Sequence, residues 1–245
     1  MKIDTVHILG VGVARMGMSQ VLDWIRMMID QGRPRHIVTA NAEIIYKAYR
    51  EPDFGRLLGN ADLVTPDGSG VVWAARILGR PVPERVTGID LITRLFASAE
   101  EKGWKIYFLG AKPEVVEKAV LNTLGKFPRL QVCGYHHGYF YQEEEEKVVS
   151  NIVGEAPHIL LAALGVPKQE QFIQRYIKEL NVPVSIGVGG SFDVLAGVAE
   201  RAPEIMQKYG LEWLYRLYQE PWRYKRMLAL PQFALAVLKQ KLGSK

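Results

Sequence analysis

The run ILLAALGVPKQEQFIQRYIKELNVPVSIGV, residues 159–188, decides the fold. Ile159–Leu164 and Val184–Val188 are short, nearly continuous apolar runs and read as buried strands. Between them Pro167–Glu179 has the length and apolar spacing of a helix, with Pro167 near its start, where a missing N–H costs little. Strand, helix and strand within about 30 residues make a βα unit whose two strands lie parallel.

The same alternation extends in both directions. Val6–Leu9, His36–Thr39, Asp62–Val64, Lys105–Leu109 and Leu130–Gly134 read as strands, and Ser19–Ile29, Ile89–Glu101, Pro113–Leu124 and Gln142–Val153 as helices. Repeated units of this kind define an α/β protein with a mainly parallel sheet and helices on both faces. After Ala202-Pro203 the rhythm changes. Glu204–Tyr209, Leu211–Tyr218, Trp222–Leu230 and Gln232–Leu242 are all helical in pattern, punctuated by Gly210, Pro221 and Pro231. The expected organisation is a body over residues 1–200 and a helical appendage over residues 201–245, with the body keeping its own core if the appendage is removed.

Composition narrows the class. Of 245 residues, 48% are hydrophobic and 23% charged, which fits a folded globular chain. Cys133 is the one cysteine, so neither a disulfide framework nor a cysteine zinc cluster is available, and a reducing cytoplasm is the expected compartment. The start, Met1-Lys-Ile-Asp-Thr, lacks a signal pattern, so no export is expected. Met227–Leu238, the longest nearly apolar stretch, is shorter than the roughly 20 residues a bilayer-spanning helix needs. Charge is unevenly spread. Residues 201–245 hold nine Lys and Arg against three Asp and Glu, whereas the first 200 residues hold 22 against 23. A tail of net charge +6 on a neutral body points to a polyanionic partner: nucleic acid, anionic lipid or a diphosphate.

Ligands of open parallel sheets bind beyond the carboxyl ends of the strands. The polar residues just after the expected strands are Thr39, Asn41, Asp67, Lys168, Gln169, Ser191 and Asp193, with Gly110 among them. Asp67, in Pro-Asp-Gly-Ser-Gly, reads either as a general base or as the N-cap of a following helix. Thr39 and Asn41 read as hydrogen-bonding a sugar or capping a helix that starts near Ala42. Gly187, Gly189 and Gly190 permit close backbone approach to a nucleotide, and Gly110 opens a helix whose N-terminus suits a phosphate; each is also an ordinary βα-turn glycine.

Gly10-Val-Gly-Val-Ala-Arg-Met-Gly17 lacks dinucleotide spacing, and no Walker lysine pattern occurs. There is no Asp-x-Asp and no HExxH, and the adjacent His136 and His137 point to opposite faces of a strand, so no metal is indicated. A departing diphosphate then needs cations, which Arg85 and the tail arginines supply. Arg223 and Arg226 share a helical face about one turn beyond Arg216. Seven aromatics (Tyr209, Trp213, Tyr215, Tyr218, Trp222, Tyr224 and Phe233) are interleaved with these cations, a combination suited to an anionic membrane interface.

Taken together, these motifs resemble the TagA/WecG/CpsF family of bacterial glycosyltransferases, and within it the TagA branch. The resemblance runs nearly end to end. It rests on Thr39-Ala-Asn-Ala-Glu43, Pro66-Asp-Gly-Ser-Gly70, Glu84-Arg-Val-Thr-Gly88, His137-Gly-Tyr-Phe140, Gly165-Val-Pro-Lys-Gln-Glu170 and Gly189-Gly-Ser-Phe-Asp193. The most specific piece is the tail run from Arg201-Ala-Pro203 through Gly210-Leu-Glu-Trp-Leu-Tyr-Arg-Leu217 to Glu220-Pro-Trp-Arg223.

The resemblance implies a Rossmann-like sheet and metal-independent, inverting transfer from a UDP-sugar, with no cofactor. For the TagA branch it implies transfer of N-acetylmannosamine to polyprenyl-diphosphate-linked N-acetylglucosamine, in the linkage unit of wall teichoic acid. It implies Asp67 as general base and a pocket lined by Thr39, Asn41, Arg85 and Gln169, with Gly110 and the Gly187–Asp193 loop against UDP. Arg216, Arg223 and Arg226 would then complete the site from the appendage, with the enzyme peripheral on the inner face of the cell membrane. Nucleic acid is not the expected partner, and a homo-oligomer is compatible with the sequence. Alternatives are another donor, such as UDP-N-acetylmannosaminuronic acid or a UDP-hexose, a non-catalytic membrane or nucleic-acid binding protein, and a nicotinamide-dependent oxidoreductase.

Overall fold

A computed structural model describes residues 3–221 and 224–243. Six strands form one parallel sheet: β3 (Arg35–Ala40), β4 (Leu63–Pro66), β5 (Lys105–Gly110), β6 (Gln131–His136), β7 (Ile159–Ala163) and β8 (Val184–Gly187), with β1 (Thr5–Ile8) and β2 (Val11–Ala14) outside it. The order is β4-β3-β8-β7-β5-β6. Connections leave the centre in opposite directions, β3 to β4 at one edge and β5 to β6 at the other. Such an arrangement opens a crevice at the carboxyl ends of the central strands.

The central strands are mostly buried because both faces are covered; all five residues of β7 are apolar and buried. Ile37, Phe108, Leu161 and Ile186 face one core, shared with α1 (Met18–Gln31), α5 (Gly88–Lys102) and α6 (Pro113–Lys126). Alternate residues face the other side. There Val38 and Val64 meet α2 (Ala42–Arg50), α3 (Pro52–Gly59) and α4 (Ser69–Ile77), while Leu109 and Leu160 meet α7 (Glu145–Glu155) and α8 (Lys168–Leu180). This is the expected α/β architecture, with a Rossmann-like sheet.

The first strand departs from expectation. β1 (Thr5–Ile8) pairs antiparallel with β2 (Val11–Ala14) in a separate hairpin that packs against β4. Its two-residue turn, Leu9-Gly10, has φ of +50° and +90°, the left-handed conformation that tight hairpins require. The glycines of the Gly10–Gly17 run thus have separate structural places: Gly10 in the turn, Gly12 in β2 and Gly17 as the N-cap of α1.

The tail forms α10 (Glu204–Lys208), α11 (Glu212–Gln219), α12 (Tyr224–Met227) and α13 (Ala229–Gly243), following α9 (Ser191–Leu195) of the body. The core crosses residue 200. Phe233 and Val237 of α13 are buried in the cluster built by α2, α4 and the hairpin. The Gln240 side chain accepts from Leu9 N at 2.8 Å and donates to His7 O at 2.9 Å, pinning α13 to the hairpin. Pro231 does not end a helix: it lies in the first turn of α13, where no N–H is required. Among the described residues no helix is long and apolar enough to cross a membrane.

Candidate active site

A cleft of about 1240 Å³ lies along the carboxyl edge of the sheet. Asp67 follows β4 directly, and its N–H donates to Ala40 O and Thr65 O at 3.0 Å each, which ties it to the end of β3. The next residue, Gly68, has φ +96°, a turn that turns the chain away into α4 and favours glycine. Asp67 does not cap α4, whose N-cap is Gly68 without a side-chain bond. Its Oδ2 accepts instead from Gly88 N at 3.1 Å, at the start of α5. Burial pushes the Asp67 carboxyl up to about 6. The Gly88 N–H and Arg85 work against that rise, Glu212 adds to it, and Arg216 opposes it.

Thr39 and Asn41 line the same cleft and also hold its walls. Thr39 Oγ1 donates to Gly187 O at 2.9 Å, and Asn41 Oδ1 caps α2 by accepting from Ile44 N at 2.9 Å. Both readings of Asn41, cap and cleft residue, are thus compatible in one geometry. The loop after β8 brings Gly189, Gly190, Ser191 and Asp193 to the cleft. Gln169 holds this loop through its Oε1, which accepts from Gly189 N at 3.2 Å. Across the opening, Tyr139, Phe140 and Tyr141 form a further wall, anchored where Phe140 meets Phe172 of α8 edge-on at 6.2 Å.

The tail closes the cleft. Ser69 Oγ donates to Gly210 O at 3.0 Å, and Glu212 at the start of α11 forms an ion pair with Arg85. Arg201 forks onto Asp90 at 2.6 and 2.7 Å and lies 3.7 Å from Glu212, while Thr87 Oγ1 donates to Asp90 at 2.7 Å. Arg216 projects into the cleft; a side chain added at Gly190 would meet its Nη2 at 3.4 Å. Among the described residues no carboxylate lies within ion-pair distance of Arg216. Arg226 also lines the cleft, 3.7 Å from Glu43, and Arg223 and Trp222 lie outside the described residues.

Arg85, Gly110 and Gly187 do not line the cleft directly. Arg85 stands behind Glu212, which does. The two glycines make room for the protein itself: a Cβ at Gly110 would lie 2.4 Å from the Ala163 backbone, and one at Gly187 would lie 2.6 Å from Gln169 Nε2. Residues that the sequence reading passed over also gather here, chiefly Glu212, the Arg201–Asp90 pair and Glu170. Glu170 is fully buried, and its Oε1 accepts from Gln169 Nε2 at 2.7 Å. Glu212 and Glu170 both sit inside motifs of the family resemblance, so position in those motifs was the available signal. Among the described residues no three His, Cys, Asp or Glu side chains gather as metal ligands.

A parallel sheet with Asp67 at its carboxyl edge and Arg216 and Arg226 lining the same cleft places the chain among Rossmann-like α/β proteins with a ligand site at the strand ends. The sequence matches the glycosyl transferase WecG/TagA/CpsF family over residues 6–245, and the chain belongs to that family: it is a glycosyltransferase. Similar proteins include the N-acetylglucosaminyldiphosphoundecaprenol N-acetyl-β-D-mannosaminyltransferases of Bacillus spizizenii and Bacillus subtilis. The first is 38% identical over 88% of this chain and 83% of its own length, the second 35% identical over 100% and 94%. An enzyme of the same name from Staphylococcus aureus strain MW2 is 34% identical over 96% of this chain and 93% of its own.

Proposed function

We propose that the protein transfers N-acetylmannosamine, with inversion, from UDP-N-acetylmannosamine to undecaprenyl-diphosphate-linked N-acetylglucosamine, the reaction that builds the linkage unit of wall teichoic acid. The observation that carries this reading is Asp67, a carboxylate raised to about 6 and held by Gly88 N–H on the floor of a cleft that Arg216 enters. The acceptor hydroxyl attacks the anomeric carbon from the face opposite UDP. Its proton passes to Asp67 as the new C–O bond forms, and the bond to UDP breaks with its electron pair leaving on the diphosphate. One carboxylate suffices for a single displacement.

Arg216 and Arg226, with Arg223, would neutralise the departing diphosphate, the task a divalent metal would otherwise perform. Gly189, Gly190 and Asp193 would hold UDP, and Thr39, Asn41 and Gln169 the sugar. Exposed Ile205, Tyr209, Trp213, Leu214 and Tyr218 on the basic tail support docking to the anionic inner face of the cell membrane, where the lipid-linked acceptor lies.

A panel of UDP-sugars with a short-chain polyprenyl-diphosphate N-acetylglucosamine acceptor tests the reading. Disaccharide should form from UDP-N-acetylmannosamine. Transfer from another UDP-sugar alone would assign a different donor, and no transfer from any would sink the proposal.

A further inference from the structure

Glu170 is an ionisable side chain that the proposed reaction does not use. It is 0% exposed, and burial pushes its carboxyl up to about 7 against the hydrogen bond from Gln169. Among the described residues its Oε2 has no hydrogen-bond partner. A buried carboxylate with one orphaned oxygen costs stability, so its role is to be sought in what the other oxygen holds.

That oxygen ends a short chain of bonds: Gln169 Nε2 donates to Glu170 Oε1 at 2.7 Å, and Gly189 N donates to Gln169 Oε1 at 3.2 Å. A carboxamide has a donor end and an acceptor end of almost the same shape. Here each end is dictated by its neighbour. Reversed, the amide would set its oxygen against a carboxylate oxygen and its NH₂ against the Gly189 N–H, losing both bonds. The Gly189 N–H and the Glu170 carboxylate select the same orientation, and the carboxylate is the half of that selection made by a side chain. Gly187 completes the fit, since a Cβ there would lie 2.6 Å from Gln169 Nε2 and 3.1 Å from Glu170 Oε1.

We propose that Glu170 is a positioning residue: it fixes the polarity of the Gln169 carboxamide and thereby the Gly187–Ser191 loop against which the nucleotide-sugar binds. The inference rests on the reading of the cleft as a UDP-sugar site. It adds that the loop is set from beneath by a buried side chain that does not line the cleft. The orphaned oxygen gives the role a signature. A role in folding makes removal of Glu170 destabilising, whereas a positioning role leaves a protein that is as stable or more so, yet binds poorly.

The experiment uses the full-length protein and its Glu170→Met, Glu170→Gln, Gln169→Ala and Gln169→Ala/Glu170→Met variants. UDP affinity is read by titration calorimetry, Tm by scanning calorimetry and Gly189 amide exchange by NMR. Glu170→Met should weaken UDP binding about tenfold, the worth of roughly one hydrogen bond, with Tm unchanged or raised. Glu170→Gln keeps an acceptor for Gln169 and should restore binding to within about threefold. The double variant should match Gln169→Ala within about twofold, because the two residues act as one unit. Gly189 exchange should speed up in Glu170→Met without any ligand. Parental binding in Glu170→Met, losses that multiply in the double variant, or weakened binding with a lowered Tm would each overturn the proposal. If the parent fails to bind UDP, the nucleotide-sugar reading fails instead, and the Gly189 exchange rate still decides whether Glu170 sets the loop.

Discussion

The Asp67 carboxylate accepts the backbone N–H of Gly88 at 3.1 Å, so the residue proposed as the base is aimed by the first turn of α5. That turn is itself fixed by the Thr87 cap, which shares Asp90 with Arg201 of the tail. Base, helix and tail are therefore one bonded unit. Asp67→Asn keeps the shape and removes proton acceptance. Turnover should fall about 10²-fold or more while UDP affinity changes little, since the loss falls on the chemical step. Single-turnover rates and UDP titrations check this, and activity within a few-fold of the parent would reduce Asp67 to a structural residue.

The raised Asp67 pKa sets the acid limb of the rate. The ionised form is the base, so kcat/KM should fall about tenfold per pH unit below about 6 and level off above it. Stability runs the opposite way. The folded pKa lies above the ordinary value of 3.8, so the folded state holds this proton more tightly than the unfolded chain. The ionised group therefore costs up to roughly 3 kcal/mol above pH 6, and the cost fades as pH falls through 6 towards 4. Asp67→Asn should raise Tm at pH 8 and lose that advantage near pH 4. Equal Tm values at both pH values would show that the carboxylate is not desolvated.

Transfer should survive chelation. With Arg216 and Arg226 facing the cleft and no cluster of metal ligands among the described residues, excess EDTA should leave initial rates within about twofold, as expected where fixed cations stabilise the leaving group. Strong inhibition reversed by magnesium or manganese would contradict the arginine account.

The Arg201 fork on Asp90 makes a prediction about the tail. Arg201→Ala removes two hydrogen bonds and the neighbour of Glu212, loosening the attachment of α10 and α11. Protease cleavage between residues 203 and 221 should quicken, and kcat should drop about tenfold as Arg216 loses its fixed place. A charge-preserving Arg201→Lys keeps no fork and should recover only part of the rate. Unchanged cleavage and rate would mean that the other tail contacts suffice.

Much of this was legible in the sequence because most of the parallel strands are short runs rich in apolar residues and several of the helices between them are long. Short elements were harder. The hairpin escaped because its turn is Leu9-Gly10, with a bulky residue at a left-handed position where Asn or Asp usually signals the turn. The helices α2, α3 and α4 are only 9, 8 and 9 residues long, so their periodicity is brief. At the site, Asp67, Thr39, Asn41 and Gln169 were recoverable from their places after strands. For Gly110 and Gly187 the sequence could not choose, because a glycine that admits a ligand and one that admits its own chain look alike. Glu212 and Glu170 have partners 127 residues away and one residue away, respectively, and only folding places the first in the cleft wall and the second beneath its loop.

The body's core includes side chains of α13, beyond the boundary at residue 200. Phe233 is 2% exposed and Val237 0%, both packed among residues of α2, α4 and the hairpin. Truncation before Arg201 removes these side chains together with Gln240, so it uncovers an apolar surface instead of releasing an intact domain. The truncated protein should bind a hydrophobic dye and melt at a markedly lower temperature. Phe233→Ala in the full chain should cost about 3–5 kcal/mol, the usual range for emptying a buried phenylalanine site. Loss of transfer on truncation therefore says nothing by itself about chemistry in the tail. A cleaner separation is Arg216→Ala, which leaves α13 in place: Tm should stay near the parent while turnover falls at least tenfold, on a short-chain acceptor as well as on membranes. If the truncated protein instead melts like the parent, α13 contributes nothing to the core, and residues 201–245 behave as the separable appendage that the sequence suggested.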